Sequence, residues 1–296
     1  MYTTKRKKKS NGLLGVFIFL MILAVVAGAA LILSRGIGLI EALSPNVSGE
    51  GLDPSDITGH GISSDNLAAY GITPEDQLDS SDPLVAEFMD HFDEFTPEMV
   101  KLFVKNPDAR EYVLGYLDHK DDTQAGELTA EECSGSAVPL LLQWDERWGY
   151  ITYGSGPIGI TGCGPTCLAM AASYLKADSS CTPASVAAFS ETNGYYVSGE
   201  GTKWSLIAEG SAQFGLSCEE LPLWEDSMVS ALSDGKVIIV NMGPGDFTDA
   251  GHYIVITGYS EGLFKINDPN SPTRSARGWS YSELESQIRC LWALSA

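Results

Sequence analysis

The 296-residue sequence predicts a mixed helix-and-strand domain over residues 137–296, carried behind an N-terminal membrane anchor. Three observations predict it. Leu13 to Leu33 is an uncharged apolar run. Residues 167–175 are an apolar helical stretch that opens behind two glycines and a proline. Residues 254–259 and 263–268 are two β-rich runs joined by Ser260-Glu261-Gly262, the length of a hairpin connection.

The N-terminal run has 21 residues. As a helix rising 1.5 Å per residue it spans roughly 31 Å, the thickness of a bilayer's hydrocarbon core. Lys5, Arg6, Lys7, Lys8 and Lys9 lie just before it. An excess of positive charge marks the cytoplasmic end of a span, which places everything after Arg35 outside. Ala27-Gly28-Ala29 has the small-residue pattern of a signal cleavage site, the competing reading, in which the chain is secreted. The apolar run continues for four residues past it, longer than a signal peptide needs, and this favours an uncleaved anchor over 13–34 with a basic cytoplasmic tail over 1–12.

Residues 35–82 are rich in Gly, Ser, Asp and Pro with no hydrophobic period, and read as a disordered acidic linker. Residues 83–120 change character. Leu84, Phe88, Met89 and Phe92 recur at helical spacing, followed by Met99, Leu102, Phe103 and then Val113, Tyr116, Leu117. Pro97 and Pro107 sit where a helix loses nothing by lacking an N–H. This element is too small for much core of its own, so it docks on the following domain or spaces it; an inhibitory role is not demanded by its residues. Residues 121–136 are a second polar linker.

Charge narrows the partners. Residues 1–40 hold six bases and no acids, residues 41–136 hold 22 acids against four bases, and residues 137–296 hold 17 acids against eight bases. The sum, +6 − 18 − 9, is the net −21 of the chain. Such a surface repels phosphate backbones, so nucleic acid is not an expected partner. The six cysteines contain no C-x-x-C, and residues 137–296 hold a single histidine, so neither a metal nor another cofactor is expected. With one cysteine reserved for chemistry, at most two disulfides can form.

Chemistry points to Thr161-Gly162-Cys163-Gly164-Pro165-Thr166. Cys163 is placed at the start of a helix, where unpaired N–H groups and the macrodipole favour a thiolate. A cysteine buried as a small hydrophobe describes Cys167 well and Cys163 poorly, since two glycines flank the latter. A thiolate acting on an amide needs a proton donor for the leaving nitrogen. His252, at the start of the strand Gly251-His252-Tyr253-Ile254-Val255-Ile256, is the one histidine available in the domain. The imidazole needs an orienting acceptor. An antiparallel pairing of 254–259 with 263–268 carries Asp268 toward His252, with Asn267 and Asn270 as fallbacks. An oxyanion hole would use the Cys163 N–H and a side-chain amide, for which Gln143 is the candidate. Rival chemistries fail. There is no G-x-S-x-G, and Ser173-Tyr174-Leu175-Lys176 lies at the wrong end of its helix for an activated serine.

At these residues the sequence resembles the papain-like cysteine peptidases of the peptidase C-thirty-nine-like group, relatives of the domain that removes leader peptides from bacteriocins. The matching pieces are Val138-Pro139 to Gln143, Trp148-Gly149, Gly162 to Thr166, Gly194-Tyr195-Tyr196, Gly201 to Ser205, Gly243 to Thr248, Gly251-His252-Tyr253, Asn267 to Asn270 and Gln287-Ile288-Arg289. The resemblance covers residues 137–296. It implies an α+β papain-like fold, with a nucleophile helix packed on an antiparallel sheet. It also implies Cys163 as nucleophile, His252 as base and acid, Asp268 as orienter and Gln143 as oxyanion donor. The bacteriocin-processing members sit on export transporters, whereas this chain has one span and no ATP-binding motif. The expectation is therefore a membrane-anchored, extracytoplasmic cysteine peptidase acting on a peptide or protein. Two alternatives are a peptide- or wall-binding module of low turnover, with Trp144, Trp148, Tyr153, Tyr195, Tyr196 and Trp204 lining a groove unless most of them are core, and an amidase or transpeptidase acting on non-protein amides.

Overall fold

The computed structural model describes residues 78–79 and 81–296, and the backbone of a two-strand ribbon at 57–58 and 61–62. The expected tail over 1–12, the span over 13–34 and nearly all of the linker over 35–82 lie outside the described residues. Among the described residues no helix is long and apolar enough to cross a membrane.

The helical element forms as three short helices. Helix α1 (Pro83–Asp90) opens on Asp82, whose carboxylate accepts from the Leu84 N–H, with proline at the first turn. Helix α2 (Pro97–Lys105) opens the same way on Thr96 and Pro97. Helix α3 (Arg110–His119) follows a 3-10 turn that begins at Pro107. Their apolar faces meet in a small aromatic cluster: Phe88 stacks on Phe103 with centroids 3.9 Å apart and on Phe95 at 5.0 Å.

The domain from 137 onward is built on one six-stranded sheet whose neighbours all pair antiparallel. Its strands are β1 (Ser217–Glu220), β2 (Val237–Met242), β3 (His252–Ser260), β4 (Leu263–Asn267), β5 (Gly278–Trp279) and β6 (Ile288–Ser295), in the spatial order β5-β4-β3-β2-β6-β1. Strand β2 is buried along its whole length, which is why it reads as a continuous apolar run rather than an alternating one.

One face of the sheet packs on helix α4 (Cys163–Lys176), with Val237, Ile239, Tyr253 and Val255 against Cys167, Leu168 and Ala171. Helix α5 (Pro183–Thr192) covers α4 from outside, so every residue of α4 from Gly164 to Ser173 is buried. A helix enclosed on all sides needs no polar face, and this one has none over ten residues. The opposite face carries Ile238, Val240, Ile254 and Ile256 under α6 (Glu225–Ser233), through Met228 and Ala231.

Two expectations need correction. The segment 121–136 is not a free linker. Leu128 enters the core beside Trp148, the Gly126 N–H donates to Arg147 O, and the Arg147 guanidinium grips Glu132 at 2.8 Å. Most of the aromatics offered as a groove are also packed inward: Trp148 and Tyr153 are fully buried, and only Trp204 of that set is exposed. All six cysteines are free thiols.

Candidate active site

Helix α4 begins at Cys163 itself, so this residue holds the first helical position, with unpaired N–H groups around it. The flanking glycines are there for space rather than for unusual backbone angles. Gly162 has an ordinary φ of −93°, but a Cβ on it would lie 2.6 Å from Ile158 O; one on Gly164 would lie 2.8 Å from the Thr202 side chain. The His252 ring and the Tyr253 and Gly164 N–H groups all act on the Cys163 thiol.

His252 opens β3 and is buried. Its Nε2–H donates to Asp268 Oδ1 at 2.8 Å, so the remaining ring nitrogen, Nδ1, is the one that meets the thiol. Asp268 is completely buried and lies one residue past the end of β4.

Register brings the last two together. Strands β3 and β4 turn through Glu261 and Gly262, both with positive φ (54° and 80°), a turn whose twist suits a two-residue hairpin. From that turn Lys265 pairs with Gly258, but Ile266 pairs with Ile256, leaving Thr257 as an extra residue. Continued from there, the register sets Asp268 opposite Ile254, two residues along β3 from His252. With Thr257 paired instead, Asp268 would stand opposite Val255, one residue further from His252.

Asp268 is held by more than His252. Arg274 Nε donates to its Oδ2 at 2.5 Å and the Asn270 N–H to its Oδ1 at 2.8 Å. Nothing in the expected site included Arg274. Its signal was Ser271-Pro272, a cap residue and a first-turn proline, which start a short helix (Pro272–Ser275) that carries Arg274 back over Asp268. The fallback orienters do other work: Asn267 donates to Val138 O and Pro139 O, and the Asn270 side chain points to Asn106.

Gln143 is buried beside the backbone that leads into Cys163. Its Nε2 donates to Gly159 O at 2.8 Å and, more weakly, to Ile160 O at 3.4 Å, while its Oε1 has no partner. Both amide protons are therefore directed at carbonyls, a departure from the free donor expected of it.

The electrostatics run in one direction. Burial resists ionisation of Cys163, but the hydrogen bond and charge of His252, with the two N–H groups, outweigh it and lower the thiol pKa. Burial likewise resists the imidazolium of His252, and the Asp268 carboxylate overcomes this and raises its pKa. Asp268 stays below its usual range despite burial, through His252 and then Arg274. Cys167, one turn further along α4, is pushed well above the usual thiol range by burial. Among the described residues no cluster of His, Cys, Asp and Glu could hold a metal ion.

A helix starting on a cysteine thus packs on an antiparallel sheet whose strands carry a histidine and, just past a strand end, an aspartate. The chain belongs to the Peptidase_C39 like family, whose model matches residues 136–294. Among solved structures it is similar to the peptidase domain of Streptococcus ComA, a bifunctional ABC transporter of a quorum-sensing pathway. The two are 22% identical over 45% of this chain and 89% of that one, with a TM-score of 0.35. It is also similar to a C39-like peptidase from Bacillus anthracis, 13% identical over 55% of this chain and 96% of that one, with a TM-score of 0.37. No curated protein matches the sequence.

Proposed function

We propose that this chain is a cysteine peptidase that hydrolyses peptide bonds through a thioester, with Cys163 as nucleophile, His252 as base and acid, and Asp268 as orienter. The observation that carries this reading is the 2.8 Å bond from the His252 imidazole to the buried Asp268 carboxylate, with that imidazole acting on the thiol at the start of α4. In the resting site the proton sits on His252 and the charge on sulfur. The thiolate attacks the carbonyl carbon. The oxygen that becomes negative is met by the Cys163 N–H and by one Gln143 N–H, released from its long contact to Ile160 O. His252 Nδ1 then gives its proton to the leaving nitrogen, and the C–N bond breaks to leave a thioester. The neutral imidazole next takes a proton from water, whose oxygen attacks the thioester and frees the acid. The apolar run over 13–34, flanked by five bases, supports the further reading that the domain is tethered outside a membrane.

Alkylation tests the reading directly. Iodoacetamide at near-neutral pH is expected to label Cys163 far faster than Cys133 or Cys218, read by peptide mass spectrometry, and His252→Ala is expected to remove the difference. Equal rates in the unaltered chain would refute an activated thiol. Turnover of casein peptides should fall by several orders of magnitude in Cys163→Ala.

A further inference from the structure

We propose that the helical element is a permanent wall of the substrate cleft, and that the space it encloses receives the part of the peptide on the leaving-nitrogen side of the scissile bond. This rests on the peptidase reading and adds which half of the substrate is read, and by what.

The element lies outside the part of the chain that the family model matches, yet it is fitted into that part. Tyr112 of α3 is buried, donates to Gly149 O at 2.8 Å and stacks on Tyr150 at 4.7 Å. Two glycines of the domain are shaped around it. A Cβ on Gly159 would come within 2.3 Å of the Tyr112 side chain, and one on Gly149 within 2.8 Å. A segment that leaves on activation would not need the catalytic domain to surrender two side chains to it.

Helix α2 and the turn after it are braced across to both segments that carry the imidazole and its acceptor. Lys101 pairs with Asp249, in the loop that runs into His252, at 2.9 Å. Asn106 donates to Asn270 O, just past Asp268, at 2.6 Å, and Asp108 accepts from the Thr273 hydroxyl. Between these braces lies an open cavity of about 760 Å³, within the size range of ligand sites. Lys101 and Leu102 of α2, Gln143, Ile160, Thr248 and Arg274 are among the residues that line it. Gln143 also lines this space, buried, with its side-chain amide donating to Gly159 O.

The side of the bond follows from the proton. His252 must reach the leaving nitrogen, so the leaving half of the peptide runs along the segments that carry His252 and Asp268. Those segments, 245–249 and 270–274, form the cavity's inner walls. The mixture of Lys, Arg, Asp and Asn around the rim suits a polar peptide segment rather than a greasy one.

The test compares two substrates with the same acyl half in the full chain held in detergent. One is an arylamide, whose leaving group ends at the scissile nitrogen; the other is an internally quenched peptide extending five polar residues beyond it. Lys101→Trp fills the cavity from the exposed face of α2, and Lys101→Met is the milder change. The ratio of kcat/KM for the extended peptide to that for the arylamide is expected to fall about tenfold or more in Lys101→Trp and less in Lys101→Met. An unchanged ratio, or a gain on both substrates as for removal of a plug, overturns the proposal. If the unaltered chain turns over neither substrate, the peptidase reading is what has failed. The wall is then judged by binding of the extended peptide to Cys163→Ala: at least fivefold weaker binding on adding Lys101→Trp upholds it, and unchanged binding rejects it.

Discussion

Replacing Asp268 by asparagine keeps the shape of the side chain and removes its charge, which isolates what the buried carboxylate does for His252. In the native site His252 is buried, an environment that by itself pulls the imidazole pKa down, and the Asp268 charge and hydrogen bond overcome it. A hydrogen bond to a charged group contributes about 1.5–3 kcal/mol, and one pKa unit corresponds to about 1.4 kcal/mol. The His252 pKa should therefore fall by roughly one to two units in Asp268→Asn. Since the imidazolium is the form that protonates the leaving nitrogen, kcat/KM at the optimum should fall by about 10- to 150-fold. The alkaline limb of the pH–rate profile should move to lower pH by the same one to two units. Arg274 would lose its partner as well, but its side chain is 27% exposed and water takes up part of that loss. The assay is kcat/KM against pH for the native chain and the variant, with thermal melting as a control on folding. An unshifted alkaline limb would refute the assignment of Asp268 as the group that holds the proton on His252, even if activity fell.

The remaining expectations concern the same contacts. In the native chain, activity should rise with pH as Cys163 loses its proton, below the ordinary thiol range, and fall as His252 loses its own, above the ordinary imidazole range; a bell lying outside those directions contradicts the ion pair. The depressed Asp268 pKa adds stability that is present above the usual carboxylate pKa and lost as pH falls through the depressed value, so acid should lower the melting temperature of the native chain more than that of Asp268→Asn. Gly159→Ala forces a methyl group against Tyr112 and should cost about 1–3 kcal/mol by denaturant melting, with less than additive loss when Tyr112→Ala is combined with it.

How much of this the residues disclose depends on the range over which each feature is decided. Pro97 with Thr96, and the run behind Cys163, announce helices because caps and apolar period act within a turn or two of chain. His252 at a strand's start and the hairpin connection after Tyr259 are legible for the same reason, though the structure keeps Ser260 in the strand and turns on two residues. Cys163 is marked by the glycines beside it, although the structure shows that these make room for Ile158 and Thr202 rather than bend the chain. Trp148 and Tyr153 were open to two readings: an aromatic side chain carries no local sign of whether it faces a groove or the core, and the packing of α4 and α5 decided for the core.

By itself, the sequence determined which residues could do chemistry and on which kind of element each would sit. That is local information, set by periodicity, caps and turn residues. The tertiary structure alone decided that Asp268 meets His252 across the shifted β3–β4 register, that Arg274 folds back onto the same carboxylate, and that Tyr112 fastens the helical element beside Gly149. Each of these depends on the register or packing of segments far apart in the chain. A one-residue shift there reverses which side chains meet, and no local pattern in the sequence records it.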